Sequence, residues 1–170
     1  MSIYVEWLNQ IKLKADCEWL TDAQQKAFND IVGRWPAEVF VCLYGPSGCG
    51  KSFIARLLAK KHGFIYTNDL KEVKPGSQLV VVDGEEYTRL MRPTAQLLGL
   101  KRVVVLMRRP PSRDRMPRTE VALSEHDVKQ FQHNLIKYGV LQSFKTGAEG
   151  TDLGQILRAE AIKRGGTDNA

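Results

Sequence analysis

The sequence predicts an α/β domain of three layers, a mainly parallel sheet between two layers of helices, with a helical extension at its N-terminus. Three observations support this fold class. The 170 residues are enough for about one domain with its own hydrophobic core. Short apolar runs rich in valine and leucine alternate with segments of helical periodicity, as in layered α/β folds. No internal repeat or low-complexity tract interrupts this alternation.

Residues 1–36 are predicted to form the helical extension. Apolar side chains recur at helical spacing between residues 4 and 11. Residues 21–24, Thr-Asp-Ala-Gln, form a capping box, which marks the start of a second helix. Gly33 and Pro36 mark the end of that helix.

The α/β domain itself is predicted over residues 37–164. Strands are predicted at 38–44, 64–67, 78–83 and 101–107, and a final edge strand at 140–145. Helices are predicted at 51–62, 88–100, 124–138 and 153–163, with Pro93 near the start of the second. The first strand is a short, almost wholly apolar run, which is typical of a parallel strand buried on both faces. Residues 165–170 are predicted to be a disordered tail.

A glycine-rich loop separates the first predicted strand from the helix that follows it. The loop, Gly45-Pro46-Ser47-Gly48-Cys49-Gly50-Lys51-Ser52, matches the pattern GxxxxGK[ST] in full. Glycines let the backbone curl so that its N–H groups face phosphate oxygens, and the helix N-terminus adds partial positive charge. We expect Lys51 to reach the β- and γ-phosphates of ATP and the Ser52 hydroxyl to ligate Mg²⁺.

This loop resembles the Walker A motif of P-loop NTPases, and the resemblance covers residues 38–106. It implies a parallel sheet flanked by helices, with ATP and Mg²⁺ bound at the loop. The run 78–83, which has four apolar positions and ends in an acid, resembles a Walker B strand. Asp83 is then expected to hold the magnesium ion, directly or through water.

The residues after Asp83 depart from the pattern of ATPases that hydrolyse their nucleotide. In those ATPases a glutamate beside the magnesium aspartate usually orients the attacking water. Here Gly84 separates Asp83 from Glu85 and Glu86, so the adjacent Asp-Glu pair is absent. Either glutamate is a candidate catalytic base, with Glu85 favoured, and both also fit solvated residues at a strand end.

Residues 20–28 resemble the Q-motif of superfamily-one helicases and related nucleic-acid ATPases. In that family a glutamine reads the adenine edge, and Gln24 is the matching position. An amide donates and accepts hydrogen bonds at once, which suits adenine. The alternative interpretation is that Gln24 only completes the capping box.

The second half of the motif region is also similar to small nucleotide kinases, in which an Asp-Gly pair follows a strand and an arginine-bearing lid closes over the phosphate. The candidate lid residues are Arg108, Arg109, Arg113, Arg115 and Arg118. Guanidinium groups suit phosphate oxygens, and a lid excludes water. Only ten residues lie between the strands predicted at 64–67 and 78–83, which leaves no room for the acceptor lobe of a nucleoside-monophosphate kinase.

The net charge of +6 is concentrated in residues 101–118. This segment holds seven basic residues and one acid, while the other 18 basic and 18 acidic residues cancel. Such a concentration predicts an anionic partner, either the phosphates of ATP or DNA or RNA. A solvated, proline-broken connection is the simpler alternative for the arginine-rich part.

Together these patterns predict an ATPase that uses Mg²⁺ and couples hydrolysis to a nucleic-acid or protein partner. One of Arg108, Arg109 and Arg113 is expected to touch the γ-phosphate, from this chain or from a neighbour in a homo-oligomer. The alternatives are a small kinase and a module that senses ATP without hydrolysing it. No run approaches the ~18 apolar residues of a membrane span, the first residues do not resemble a signal peptide, and the three cysteines form no CxxC pair. We therefore expect a soluble, cytoplasmic protein.

Overall fold

The computed structural model describes residues 2–34, 39–83, 91–110, 116–144 and 150–165. The strands are β1 (Phe40–Tyr44), β2 (Ile65–Thr67), β3 (Leu79–Val82), β4 (Arg102–Met107) and β5 (Arg118–Glu120). The helices are α1 (Ile3–Lys14), α2 (Asp22–Arg34), α3 (Lys51–His62), α4 (Met91–Leu97), α5 (Glu125–Lys137) and α6 (Leu153–Lys163). Two short 3-10 helices, Cys17–Trp19 and Leu70–Glu72, precede α2 and β3. No helix in the described ranges is long and apolar enough to cross a membrane.

The five strands form one sheet in the order β2-β3-β4-β1-β5, and every neighbouring pair is parallel. Strand β4 therefore lies between β1 and β3. In open parallel sheets, ligands bind beyond the carboxyl ends of the strands. The residues that directly follow β1, β3 and β4 lie at that edge, and they include the predicted phosphate-binding loop and Asp83.

Alternating side chains of β1 face two different helical layers. Val41 and Leu43 pack in a core cluster with α2 and α3, whereas Phe40 and Cys42 pack in a second cluster with α4 and the 3-10 helix Leu70–Glu72. The sheet thus has a helical layer on each face. This confirms the predicted three-layer α/β fold with its parallel sheet.

The first and last helices of the chain pack together. Trp7 of α1 and Trp19 share a core cluster with Leu135 of α5 and Leu157 of α6. The helical extension is therefore tied to the C-terminal helices. The domain boundary predicted between residues 36 and 37 lies outside the described residues, as does 166–170 of the predicted tail.

The predicted edge strand at 140–145 is wrong for the part that the structure describes. Residues 140–144 form no strand, and Val140 and Leu141 are buried in the cluster around Trp19 instead. The strand at the edge next to β1 is instead β5, which begins at Arg118, the last residue of the basic segment. Its sequence carries only one buried side chain, Thr119, between two exposed charged residues, so it has no apolar run by which to recognise it.

Candidate functional site

The predicted phosphate-binding loop connects β1 to α3 at the carboxyl edge of the sheet. Lys51 is the first residue of α3, and Gly50 caps the helix with a φ of 93°. Gly48 also has a left-handed backbone, with a φ of 70°. Residues other than glycine rarely adopt this backbone conformation. The glycines at 48 and 50 therefore fit the curled backbone that the motif predicts.

Other elements press against these two glycines. A Cβ atom on Gly50 would lie 2.1 Å from Nε2 of Gln24 in α2, and one on Gly48 would lie 1.9 Å from Oδ1 of Asp152. Asp152 caps α6, and the backbone N–H of the next residue, Leu153, donates to the Gly48 carbonyl at 3.1 Å. The loop is thus held from both sides by helices far away in sequence.

The ammonium group of Lys51 lies over the loop itself. Its Nζ donates to the carbonyl oxygens of Gly45 at 2.8 Å and Pro46 at 2.7 Å. Phosphate oxygens are stronger acceptors for an ammonium group than neutral carbonyls. A bound phosphate can therefore replace these two carbonyl oxygens as the hydrogen-bond acceptor of Lys51.

Cys49 supports the loop from beneath. It is fully buried, and its Sγ lies 3.6 Å from Nζ of Lys51. Burial raises the pKa of the thiol, and the nearby ammonium group only partly offsets this effect. The thiol therefore stays protonated at neutral pH and serves as a small apolar group.

Ser52 and Asp83 come together although 31 residues separate them. The Ser52 hydroxyl donates to Oδ2 of Asp83 at 3.0 Å. Neighbouring oxygens of an octahedral magnesium ion, with bonds of ~2.0–2.1 Å, lie about 2.9 Å apart. The two oxygens therefore fit one edge of a magnesium site. The described part of the chain has no group of three His, Cys, Asp or Glu side chains that could hold a metal ion. Mg²⁺ characteristically takes few protein ligands beside water and phosphate.

Tyr66 is a third member of this group, and no sequence motif predicts it. It lies on β2, beside β3, and its hydroxyl donates a hydrogen bond to Oδ2 of Asp83. Burial, and next the hydrogen bond to Asp83, raise the pKa of Tyr66 to about 12, so the phenol holds its proton at neutral pH. The guanidinium of Arg56 lies 5.4 Å from the centroid of the tyrosine ring. The strand order was needed to find this contact.

Gln24 lies under the phosphate loop and is only 3% exposed. Its Nε2 donates to the Cys49 carbonyl at 3.0 Å, and its Oε1 accepts from the backbone N–H of Thr21 at 3.1 Å. The backbone N–H of Gln24 in turn donates to the Thr21 hydroxyl at 3.5 Å, which completes the capping box. Both ends of the amide that was predicted to read adenine are thus engaged by the protein.

The basic segment 101–118 does not form one continuous surface. Lys101 and Arg102 lie at the amino end of β4, whereas Arg108 and Arg109 follow its carboxyl end. The strand between them is about 20 Å long at ~3.3 Å per residue, and Val103–Leu106 within it are buried. Arg108 and Arg109 are exposed at the edge that carries the phosphate loop. The other predicted catalytic residues, Glu85, Glu86 and Arg113, lie outside the described residues.

A cavity of about 490 Å³ opens beside the loop. One part, here called the phosphate end, is lined by Ser47, Gly48, Gly50, Lys51, Ser52, Asp83 and Arg108. The other part, here called the apolar end, is lined by Tyr4, Leu8, Ile11, Trp19, Phe131, Asn134, Leu135, Leu153, Gly154 and Leu157. Phe53, next to Ser52, packs against the helices of the apolar end. A charged and an apolar surface thus meet in one cavity. Its volume lies within the 300–1,000 Å³ range typical of ligand sites.

Comparisons with known proteins agree with this geometry. Residues 41–106 match the model of the AAA family, the ATPase family associated with various cellular activities. A comparison with curated protein sequences gives no match.

Two solved structures are similar to this chain. NtrX from Brucella abortus has a TM-score of 0.53 and 13% identity, over 96% of this chain and 55% of that chain. A chain of Drosophila ORC bound to DNA has a TM-score of 0.49 and 14% identity, over 96% of this chain and 61% of that one. The chain therefore spans less than two thirds of the length of these proteins. The complete loop motif, the parallel sheet that carries it and the match over residues 41–106 together show that the chain is a P-loop NTPase.

Proposed function

We propose that the chain binds ATP with Mg²⁺ in this cavity and hydrolyses it. The observation that carries the proposal is the meeting of Lys51, Ser52 and Asp83 at the carboxyl edge of the sheet. The lysine lies over the loop, and the two oxygens of Ser52 and Asp83 lie 3.0 Å apart. This is the arrangement that an Mg²⁺-bound triphosphate requires.

Each residue has a defined task in this proposal. The backbone N–H groups of the loop and the N-terminus of α3 hold the phosphates, and Lys51 exchanges its carbonyl partners for phosphate oxygens. Ser52 and Asp83 hold the magnesium ion. When bound, the ion supplies positive charge that offsets the charge developing on the transferring phosphoryl group. Arg108 follows β4, the strand between β1 and β3, which supports a role next to the γ-phosphate.

The apolar end of the cavity is the proposed site of the base. Its aromatic and aliphatic side chains come from α1, α5 and α6 and from Trp19. A purine ring has two apolar faces, and burying such a ring against apolar side chains is favourable. The charged and apolar ends therefore match the two ends of a nucleoside triphosphate.

The kinase alternative finds no support in the segment between β2 and β3. Residues 68–78 are all described, and they form a tight connection around the 3-10 helix Leu70–Glu72. Leu70 and Val73 of this segment are buried in the same cluster as Ala95 of α4. It offers no lobe to hold a second nucleotide. We therefore retain water as the proposed acceptor of the phosphoryl group.

A nucleic acid is the proposed partner, and the basic residues after β4 support it. Arg108 and Arg109 are exposed beside the nucleotide cavity, and residues 111–115 add two more arginines and one aspartate to the same stretch. Arginine is well suited to phosphate groups because its planar fork can form two parallel hydrogen bonds. A strand bound here would lie close to the γ-phosphate, which gives a route for coupling.

The test is ATP turnover with single-stranded DNA, double-stranded DNA, RNA and small hydroxyl acceptors, with the labelled product identified. We expect free phosphate, released faster with a nucleic acid, and a loss of about 100-fold or more in Asp83→Asn. The label on an acceptor would indicate a kinase, and binding without turnover would indicate an ATP sensor. Either result would contradict the proposed hydrolysis.

The partner is tested separately by nucleic-acid binding as a function of salt. Arg109→Ala should weaken binding and lower the salt slope by about 0.9 for each lost contact with duplex phosphate. Lys129→Ala, an exposed lysine of α5, serves as the matched control and should bind like the wild type. Equal salt slopes for all three proteins would exclude Arg109 as a contact.

A further inference from the structure

The apolar end of the cavity carries an amide side chain, that of Asn134 in α5. Phe131, three residues before Asn134, and Leu135, the residue after it, line the same cavity. Residues three and four apart share one face of a helix. Asn134 therefore belongs to the helix face that borders the proposed base site.

One hydrogen bond holds this amide, and a ring contact holds its partner in place. Its Nδ2 donates to the carbonyl oxygen of Trp19 at 3.0 Å. The indole of Trp19 stacks on the ring of Tyr138, one turn further along the chain, with the ring centroids 4.5 Å apart. The short 3-10 helix that ends at Trp19 is thus anchored at Asn134 in α5 and at Tyr138, which follows α5.

The anchored amide still has hydrogen-bonding capacity. An asparagine offers two N–H donors and an acceptor oxygen, and the contact with Trp19 uses one donor. Oδ1 accepts no hydrogen bond from the described residues. One donor and one acceptor therefore remain for a ligand in the cavity.

We propose that Asn134 selects adenine over purines that carry an oxygen at position 6, an inference that rests on the proposed ATP site. The 6-amino group of adenine donates, and the adjacent ring nitrogen accepts, so the base complements the free Oδ1 and N–H of an asparagine. Guanine and hypoxanthine place a carbonyl oxygen opposite Oδ1, which leaves two acceptors facing each other. Asn134 thus takes the role that the sequence suggested for Gln24, whose amide holds the phosphate loop instead.

The first test uses the wild-type protein with Mg²⁺ and three ligands: ATP, inosine triphosphate and inorganic tripolyphosphate. ATP should bind more tightly than inosine triphosphate by about fivefold to 150-fold, the discrimination of one bidentate pair. Equal affinities for the two nucleotides would overturn the role of Asn134 but leave the proposed ATPase intact. Failure of both ATP and tripolyphosphate to bind would overturn the proposed function, and the role of Asn134 with it.

Variants then assign the selectivity to a residue. Asn134→Leu should bring ATP and inosine triphosphate to within about twofold of each other while tripolyphosphate binds as before. Unchanged tripolyphosphate affinity also shows that the loop is folded. His133→Leu, an exposed neighbour on α5, is the control and should keep the wild-type ratio.

Gln24→Ala distinguishes the two amides. Because Gln24 supports the loop, its loss should weaken ATP, inosine triphosphate and tripolyphosphate alike, with the nucleotide ratio preserved. If Gln24→Ala binds ATP and inosine triphosphate equally while Asn134→Leu keeps the wild-type ratio of the two affinities, the inference is overturned in favour of Gln24. If Asn134→Leu does not fold, Asn134→Ser takes its place with the same expected ratio.

Discussion

At the scale of single residues, the carboxylate of Asp83 has two hydroxyl neighbours. Ser52 approaches it from α3 and Tyr66 from β2, and both donate to Oδ2. Groups that hydrogen-bond to a metal ligand fix its orientation, and their loss typically weakens metal binding about 10–100-fold. Tyr66 is therefore a positioning residue for the proposed magnesium site.

The variant Tyr66→Phe tests this role. We expect the Mg²⁺ concentration required for half-maximal ATP turnover to rise about tenfold. The KM for ATP at saturating Mg²⁺ should stay within about twofold of the wild type. Electron paramagnetic resonance of Mn²⁺ in the presence of ADP gives a readout of the metal affinity that does not depend on turnover.

Tyr138→Phe is the matched control, since it removes a tyrosine hydroxyl that contacts Glu18 and not Asp83. It should leave the Mg²⁺ requirement unchanged. A Tyr66→Phe protein with the wild-type Mg²⁺ requirement would show that Asp83 needs no support from β2.

Local pattern was enough to single out Lys51, Ser52 and Asp83, which the structure brings to one cavity, because each lies in a short motif at a strand end. Tyr66 and Asn134 belong to no such motif. Tyr66 reaches Asp83 through the strand order, and Asn134 reaches the cavity through the packing of α5. Both depend on contacts distant in sequence. A tyrosine in a strand and an asparagine in a helix carry no local signal of such a contact.

At the scale of elements, one carboxylate joins the N-termini of two helices. Oδ1 of Asp127 in α5 accepts from the backbone N–H of Ala23 in α2 at 2.9 Å, and Oδ2 accepts from the backbone N–H of Ser124 at 2.8 Å. Burial would raise the pKa of Asp127, but the hydrogen bonds from Ser124 and Ala23 outweigh it and lower the pKa. The charged form is thus the one that the fold stabilises.

The pH dependence of stability follows from this direction. A carboxyl whose pKa is lower in the folded state stabilises the fold above its unfolded pKa of ~3.9 and loses that effect as the pH falls through the folded value. Asp127→Asn should therefore lower the free energy of unfolding at pH 7 by about 2 kcal/mol. The difference in the free energy of unfolding between Asp127→Asn and the wild type should become smaller below about pH 4.

Urea unfolding of both proteins between pH 7 and pH 2.5 measures this difference. Glu125→Gln, an exposed neighbour in α5, should stay within about 0.5 kcal/mol of the wild type. A deficit for Asp127→Asn that does not shrink in acid would contradict the assignment of a charged Asp127.

The contact between α6 and the phosphate loop is tested by Gly48→Ala. The new methyl group would meet the Asp152 carboxylate at 1.9 Å, so α6 or the loop must move. Gly139 has nearly the same backbone, with a φ of 68° against 70°, yet a Cβ there meets nothing within 4 Å. Gly139→Ala thus controls for the left-handed conformation alone.

Both alanine variants should lose about 1–2 kcal/mol of stability from the backbone. Gly48→Ala should lose a further 1–3 kcal/mol, roughly the cost of overpacking, and should also weaken ATP binding. Urea unfolding gives the comparison. An equal loss in the free energy of unfolding in both variants would mean that α6 accommodates the new methyl group without a cost in stability.

The elements differ in how far the sequence predicts them. Residues 51–62 and 153–163 are helices with the predicted bounds, because Gly63 ends α3 and Asp152 caps α6. Strand β5 was missed, since its pairing with β1 and not its own composition makes it a strand. The apolar pair at 140–141 was wrongly predicted to be part of a strand, because a segment buried among helices and a strand buried in a sheet both require apolar side chains.

At the scale of the whole molecule, the two ends of the chain close one cavity. Helix α1 and helix α6 both line it, together with the loop in the middle of the sequence. A ligand that contacts all three stabilises the folded state by an amount set by its concentration and affinity. Nucleotide binding is therefore the property that all the proposed roles of these residues require.

The most direct test is calorimetric titration of the wild type, Lys51→Ala and Lys71→Ala with ATP in the presence of Mg²⁺. Lys51→Ala loses the ammonium group over the loop and should bind at least about tenfold more weakly, since a charge-assisted hydrogen bond contributes ~1.5–3 kcal/mol. Lys71→Ala removes an exposed lysine of the connection between β2 and β3 and should bind like the wild type. ATP bound by Lys51→Ala with wild-type affinity would contradict the assignment of this loop as the nucleotide site.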